Sequence, residues 1–133
     1  MIGILLLSHG PTAQGLLESS KLFFGEDIPN MESINFNSDD VDAFDMEIDR
    51  AIRRLDDGSG VLVMCDVFGG TPANRCAYKL SCRVKVITGM NLTMVLDALG
   101  RRMNVRHISE LDVKHIIDSG KKSIAYLNEI YKK

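Results

Sequence analysis

Apolar residues occur along this chain in short unbroken runs, separated by longer stretches in which they recur every three to four positions. Residues 2–7 form the first run, and its lack of alternation suits a strand buried on both faces of a parallel sheet. Gly10 then turns the chain and Pro11 is suited to a first helical position. Ala13, Leu16, Leu17, Ser20, Phe23 and Phe24 share one helical face, and Gly25 is a natural stop. Residues 33–36 read as a second strand. Val41, Phe44, Ile48, Ile52 and Leu55 form the stripe of a second helix. Asp39, Asp40 and Asp42 crowd its start and Arg50, Arg53 and Arg54 its end, both favourable to the helix dipole. The acidic group thus follows from helix physics and implies no metal.

A third apolar run covers residues 60–65. Thr71 is a candidate cap for the helix that follows, with Pro72 at its first position and Ala73, Cys76, Ala77 and Leu80 facing inward. Residues 84–87 give a fourth strand, and Leu92, Val95, Leu96 and Leu99 a helical stripe that ends at Gly100. The pattern Ser109-Glu110-Leu111-Asp112 predicts a last helix that begins with a capping box and stops near Gly120. Beyond it, Ile124 and Tyr126 alternate like an edge strand, while Leu127 and Ile130 also fit a helix.

Strands alternating with helices predict an α/β fold, an open, doubly wound parallel sheet with strand order 2-1-3-4. Residues 1–133 are expected to form a single domain. In that order the chain reverses direction between strands 1 and 3, and ligands bind outside the carboxyl ends of the strands at such a point. His9 follows the first strand and Asp66 the third, so the topology would bring an imidazole and a carboxylate together.

Composition narrows the class further. With 45% hydrophobic and 26% charged residues the chain is ordinary for a globular protein. The run of residues 2–7 has no basic flank and no cleavage site, so a signal peptide and a membrane span are not expected and the cytoplasm is the default location. Three cysteines without a CxxC pair argue for reduced, packed thiols, Cys65 included. The net charge of −2 hides a split: residues 1–66 carry four Lys/Arg against 13 Asp/Glu, and residues 67–133 carry 12 against five. Arg75, Arg101, Arg102 and Arg106 are spread over several elements and read as solvated faces. With no interleaved aromatics, nucleic acid is not an expected partner.

The candidate chemistry lies at the two strand ends. Gly10, Gly69 and Gly70 leave little bulk around His9, so backbone amides can approach a ligand. Two helices start there, and helix N-termini favour phosphate-like anions. Thr71 adds a hydroxyl. Neither loop carries a Walker A or GxGxxG pattern. A carboxylate bonded to one imidazole nitrogen fixes the tautomer and leaves the other nitrogen as a nucleophile. With no metal-ligand cluster and no serine or cysteine triad, phosphoryl transfer through a phosphohistidine fits. Met90 and Asn91 end the fourth strand near the crevice and could line it, and a helix cap is an equal reading of Asn91. His107 and His115 read as structural or exposed.

Several motifs resemble one family. Ser8-His9-Gly10, the Leu-Leu and Leu-Phe-Phe-Gly helix that follows, Asp66-Val67-Phe68-Gly69-Gly70-Thr71-Pro72-Ala73-Asn74, and Thr88-Gly89-Met90-Asn91-Leu92 are similar to the mannose-family EIIA component of the bacterial sugar phosphotransferase system (PTS) over most of residues 1–120. The resemblance implies that His9 Nε2 accepts a phosphoryl group from the carrier HPr and passes it to a EIIB component, with membrane EIIC and EIID components downstream. It implies that Asp66 orients His9, and that Gly70, Thr71 and the helix they open hold the phosphoryl oxygens. Phe68 would belong to a partner-docking rim, with Met90 and Asn91 beside it. It further implies a homodimer that exchanges a C-terminal edge strand near residues 123–127, and no cofactor or metal. Since the chain ends at Lys133, EIIB is expected as a separate protein. Two other readings stand beside this one: an α/β chelatase that inserts metal into a tetrapyrrole, and a non-catalytic module that senses an anion in the crevice.

Overall fold

The computed structural model describes residues 1–132. Four strands, β1 (Gly3–His9), β2 (Met31–Phe36), β3 (Val61–Cys65) and β4 (Val84–Ile87), form one parallel sheet in the order β2-β1-β3-β4. This is the doubly wound topology that the alternating pattern predicts. The helices are α1 (Thr12–Phe24), α2 (Val41–Leu55), α3 (Thr71–Cys76), α4 (Leu92–Arg101), α5 (Val113–Lys122) and α6 (Leu127–Tyr131).

The unbroken apolar runs have a direct cause. Ile4, Leu6, Leu62 and Met64 point to one face of the sheet, where they meet Ala13, Val95, Ala98 and Ile116 of α1, α4 and α5. Leu5, Leu7, Val63 and Cys65 point to the other, against Phe44, Ile48 and Cys76 of α2 and α3. With cores on both sides, the central strands are apolar from Ile4 to Leu7 and from Val61 to Cys65, while the edge strands β2 and β4 keep polar residues such as Glu32, Asn35 and Lys85. Register pairs Leu7 of β1 with Cys65 of β3 and His9 with Phe36 of β2. The carboxyl ends of the central strands are therefore level.

Several expectations need correction. Phe23 and Phe24 are 64% and 39% exposed rather than packed, because Ala13 and Ser20 carry the fully buried side of α1, with Leu16 and Leu17 partly buried beside them. Leu80 and Ala77 lie outside the core, since α3 ends at Cys76 before a helical face reaches them. Gly70, not Thr71, occupies the N-cap of α3, and no side chain caps that helix. The helix predicted to begin at Ser109 starts later, as α5 at Val113, and is not the last. His107 and Glu110 form the capping box of a short 3-10 turn (Ile108–Glu110), and Asp112 caps α5 by accepting from the His115 N–H at 3.1 Å. Arg102 is not solvated. It is 3% exposed and its guanidinium donates to the carbonyls of Ile2, Pro29 and Asn30, while desolvation lowers its pKa to about 10. Residues 123–127 form no strand in this chain. Ser123 closes α5, and α6 begins at Leu127, so of the two patterns in the tail the helical one prevails.

Candidate functional site

The site is built from the ends of β1 and β3. Ser8, fully buried, accepts the Ala13 N–H at 2.7 Å and donates to the Gly10 carbonyl at 2.9 Å. One hydroxyl thus closes the turn and satisfies an otherwise unpaired amide in the first turn of α1. Gly10 has φ of 61°, a left-handed conformation natural for glycine, and its N–H donates to the Phe36 carbonyl at 3.1 Å. Its amide is therefore spent on the fold, and Gly10 contributes the turn that presents His9 rather than a donor for an anion.

His9 and Asp66 do meet. Asp66 Oδ2 accepts from the His9 backbone N–H at 2.8 Å and lies 2.8 Å from His9 Nδ1. Its other oxygen accepts the Val67 N–H at 3.0 Å. Burial pushes the Asp66 carboxyl up, but the His9 amide, the imidazole and the Val67 amide together outweigh it and hold the pKa below the usual value. An ionised carboxylate only accepts hydrogen bonds, so the proton between the two groups belongs to Nδ1. That tautomer leaves the Nε2 lone pair free, and among the described residues Nε2 has no hydrogen-bond partner. The His9 side chain is 47% exposed and that of Asp66 16%, so the ring faces solvent while its partner is sheltered.

Two walls confine the ring. Phe36 meets it edge-on, with centroids 6.4 Å apart, and Phe44 backs Phe36 at 4.6 Å. On the other side stands Gly70. A Cβ built there would lie 2.5 Å from His9 Cε1 and 3.2 Å from Nε2, so only glycine leaves the imidazole in place. Gly69 and the partly buried Thr71 flank Gly70, and the Asn74 amide ties the loop by donating to the Gly69 carbonyl at 3.2 Å. Phe68 stands out from the same loop at 91% exposure.

The other predicted residues separate from this group. Met90 is 8% exposed and belongs to the core beneath α4, so it is no docking residue. Asn91 caps α4 by accepting the Met94 N–H at 2.9 Å, as the capping reading expects. His107 caps the 3-10 turn and His115 contacts Arg101. Among the described residues no three His, Cys, Asp or Glu side chains group as a metal site. Sequence reasoning missed Phe36 and the capping role of Ser8. The first is visible only once strand register is known. The second has a local signal, a hydroxyl two residues ahead of a Gly-Pro helix start.

Comparison with known proteins follows the same lines. A family model described as EIIA-man, PTS system fructose IIA component, matches residues 3–117. The PTS system fructose-specific EIIA component of Bacillus subtilis is 29% identical over 104 residues, covering 77% of this chain and 71% of the relative. The PTS system mannose-specific EIIAB component of Escherichia coli is 26% identical over 129 residues, which is 95% of this chain but only 39% of that protein. Among solved structures, a phosphotransferase system component EIIA from Streptococcus agalactiae superposes with a TM-score of 0.85 at 28% identity, covering 97% of this chain and 99% of that one. A mannose/sorbose specific IIA subunit from Enterococcus faecalis shares the fold, with a TM-score of 0.77 at 23% identity over 94% of this chain and 93% of that one.

Proposed function

The chain belongs to the mannose-family EIIA proteins, components of the sugar phosphotransferase system, and on that premise we propose that it is a phosphocarrier whose reacting atom is His9 Nε2. The observation that carries this reading is the pairing of His9 Nδ1 with Asp66 at 2.8 Å, which in the neutral imidazole puts the proton on Nδ1 and the lone pair on Nε2 of a half-exposed ring.

In the forward step the Nε2 lone pair attacks the phosphorus of phosphorylated HPr. A new N–P bond forms as the donor's P–N bond breaks, and the bonding pair returns to the donor imidazole. The Nδ1 proton stays in place, and the Asp66 carboxylate balances the positive charge that grows on the ring. Gly70 lies beside Nε2, and in this reading its neighbours Gly69 and Thr71 complete the phosphoryl site, Thr71 donating its amide and hydroxyl to the phosphoryl oxygens. The same geometry run in reverse hands the group to EIIB, which delivers it toward EIIC and EIID for sugar uptake. Phe68 forms the rim on which the carriers dock. Transfer between proteins needs an exposed ring rather than a closed pocket, and this ring is exposed. A cytoplasmic location goes with such partners.

We also propose that the protein works as a homodimer. Ile124, Tyr126, Leu127 and Ile130 are 58–80% exposed along the tail, a run of apolar surface that a second copy would cover. A one-protomer mass by light scattering would refute the dimer and leave the site chemistry untouched.

The decisive experiment is intact-protein mass after incubation with phosphoenolpyruvate, enzyme I and HPr. One acid-labile phosphate is expected on the wild type and none on His9→Ala. Labelling of the mutant would remove His9 from the mechanism. Failure to label the wild type would favour the anion-sensing module. The chelatase reading loses ground because, among the described residues, no third His, Cys, Asp or Glu joins His9 and Asp66 in a possible metal-holding group.

A further inference from the structure

Helix α3 has six residues, too few to be stable by itself, and its own buried anchors are Pro72 and Cys76. A group of charges fastens it to α2. Arg75 Nε lies 3.0 Å from Asp45 Oδ1, and Lys79, in the turn that follows α3, lies 2.9 Å from Asp45 Oδ1 and 2.8 Å from Asp49 Oδ1. Acids spaced four apart on one element meet bases spaced four apart on the other. The Lys79 side chain is only 11% exposed, unlike the solvated pairs elsewhere on the surface. Burial alone would lower the Lys79 pKa, yet Asp49 and Asp45 raise it, and Lys79 in turn holds Asp45 low despite its own desolvation.

The position of α3 matters because its N-cap is Gly70, whose Cα faces the imidazole so closely that no side chain fits between them. A shift of α3 on the sheet moves that wall against or away from the ring. We propose that Asp45, Asp49, Arg75 and Lys79 are positioning residues for phosphoryl transfer. By locking α3 to α2 they set the gap between Gly70 and His9, and with it the direction in which Nε2 points. This inference rests on the phosphocarrier reading above. None of the four touches the reacting atoms.

The test compares Lys79→Met, which keeps the buried stem without the charge, with Lys79→Arg, which keeps the charge. Three quantities are read: the phosphoryl uptake rate at saturating phosphorylated HPr, the HPr concentration for half that rate, and the His9 ring nitrogen signals by NMR. Lys79→Met should lower the saturated rate about tenfold or more, as misplaced reacting groups do, with little change in half-saturation and with displaced ring signals. Lys79→Arg should restore most of the rate. A Lys79→Met protein that melts earlier but keeps the wild-type rate and ring signals would reduce the clamp to a stabilising contact and overturn the proposal. Should Lys79→Met not fold, Asp49→Asn leaves the Lys79–Asp45 pair in place, and the same readings decide. If the wild type takes up no phosphoryl group, the phosphocarrier reading fails, and the ring signals alone judge the positioning.

Discussion

The two strand ends that make the crevice are built to different standards. At the end of β1 nearly every polar group has a partner inside the fold: the Ser8 hydroxyl serves the Gly10 carbonyl and the Ala13 amide, and the Gly10 amide serves Phe36. At the end of β3, Asp66 is as fully engaged, but the chain beyond it is open. Val67 and Phe68 are 49% and 91% exposed, and α3 starts without a side-chain cap. The difference separates two tasks. On the phosphocarrier reading proposed above, one end would hold the ring in a single orientation and the other would offer a surface that successive partners cover and leave. Asp66 joins them, since its carboxylate takes amides from both His9 and Val67.

That joint is where the comparison can be broken most severely. Asp66→Ala is expected to slow phosphoryl uptake about 100-fold or more, because the proton on Nδ1 is no longer fixed and the growing ring charge is no longer balanced. The mutation also fixes a pH dependence. The folded-state pKa of Asp66 lies below its ordinary value of about 3.9, so its stabilising contribution is complete above about pH 4 and is lost as pH falls through the lower folded value. Melting temperatures of wild type and Asp66→Ala should therefore differ near neutrality and converge in acid. A constant gap across that range, or an unchanged transfer rate, would show that the carboxylate acts only as a scaffold.

Gly70→Ala asks whether the open side nonetheless limits the ring. The backbone at Gly70 has φ −82° and ψ 167°, which alanine adopts freely, so any effect comes from the methyl group meeting His9 Cε1 and, less tightly, Val67 Cγ2. We expect transfer to fall about 10- to 100-fold while the melting temperature moves little, because the half-exposed ring can swing outward rather than strain the fold. A wild-type rate would mean that α3 yields instead, and the contrast between a wired and an open end would have to be drawn further from His9.

How far these features are legible without coordinates varies in an instructive way. The topology and the meeting of His9 with Asp66 follow from run length and chain order, because strands buried on both faces leave few alternatives. The site's neighbours are another matter. Phe36 reaches the ring through a register, Met90 turns inward where its neighbour Asn91 caps α4, and Gly70 rather than Thr71 ends up as the N-cap. Each is decided by a shift of one residue, which periodicity does not resolve. Arg102 is the clearest case of tertiary override, a basic residue on an otherwise ordinary helix end that is drawn inward by the carbonyls of Ile2, Pro29 and Asn30. Ser8 belongs with it, and Ser8→Ala sharpens the account of the wired end. Removing the hydroxyl leaves the Ala13 amide buried and unpaired, which should cost about 1–3 kcal/mol in urea unfolding. If stability were unchanged, the hydroxyl would be dispensable and the rigidity of the β1 end would need another source.

The smallest effect is expected at the most exposed of the large hydrophobic side chains. Phe68 contributes almost nothing to the core, so Phe68→Ala should leave the unfolding midpoint where it is and leave the saturated transfer rate close to wild type. What should change is the partner concentration needed. An aromatic side chain that packs at the centre of an interface is commonly worth more than about 1 kcal/mol, which is several-fold in half-saturation. If HPr and EIIB share the proposed rim, Phe68→Ala should weaken both rather than one. A mutant that docks either carrier normally would move the docking rim off this loop, toward Tyr78 and Leu80, the other exposed hydrophobic residues that follow α3. The open end would then begin beyond α3, and the loop between Asp66 and Gly70 would count as part of the ring's housing.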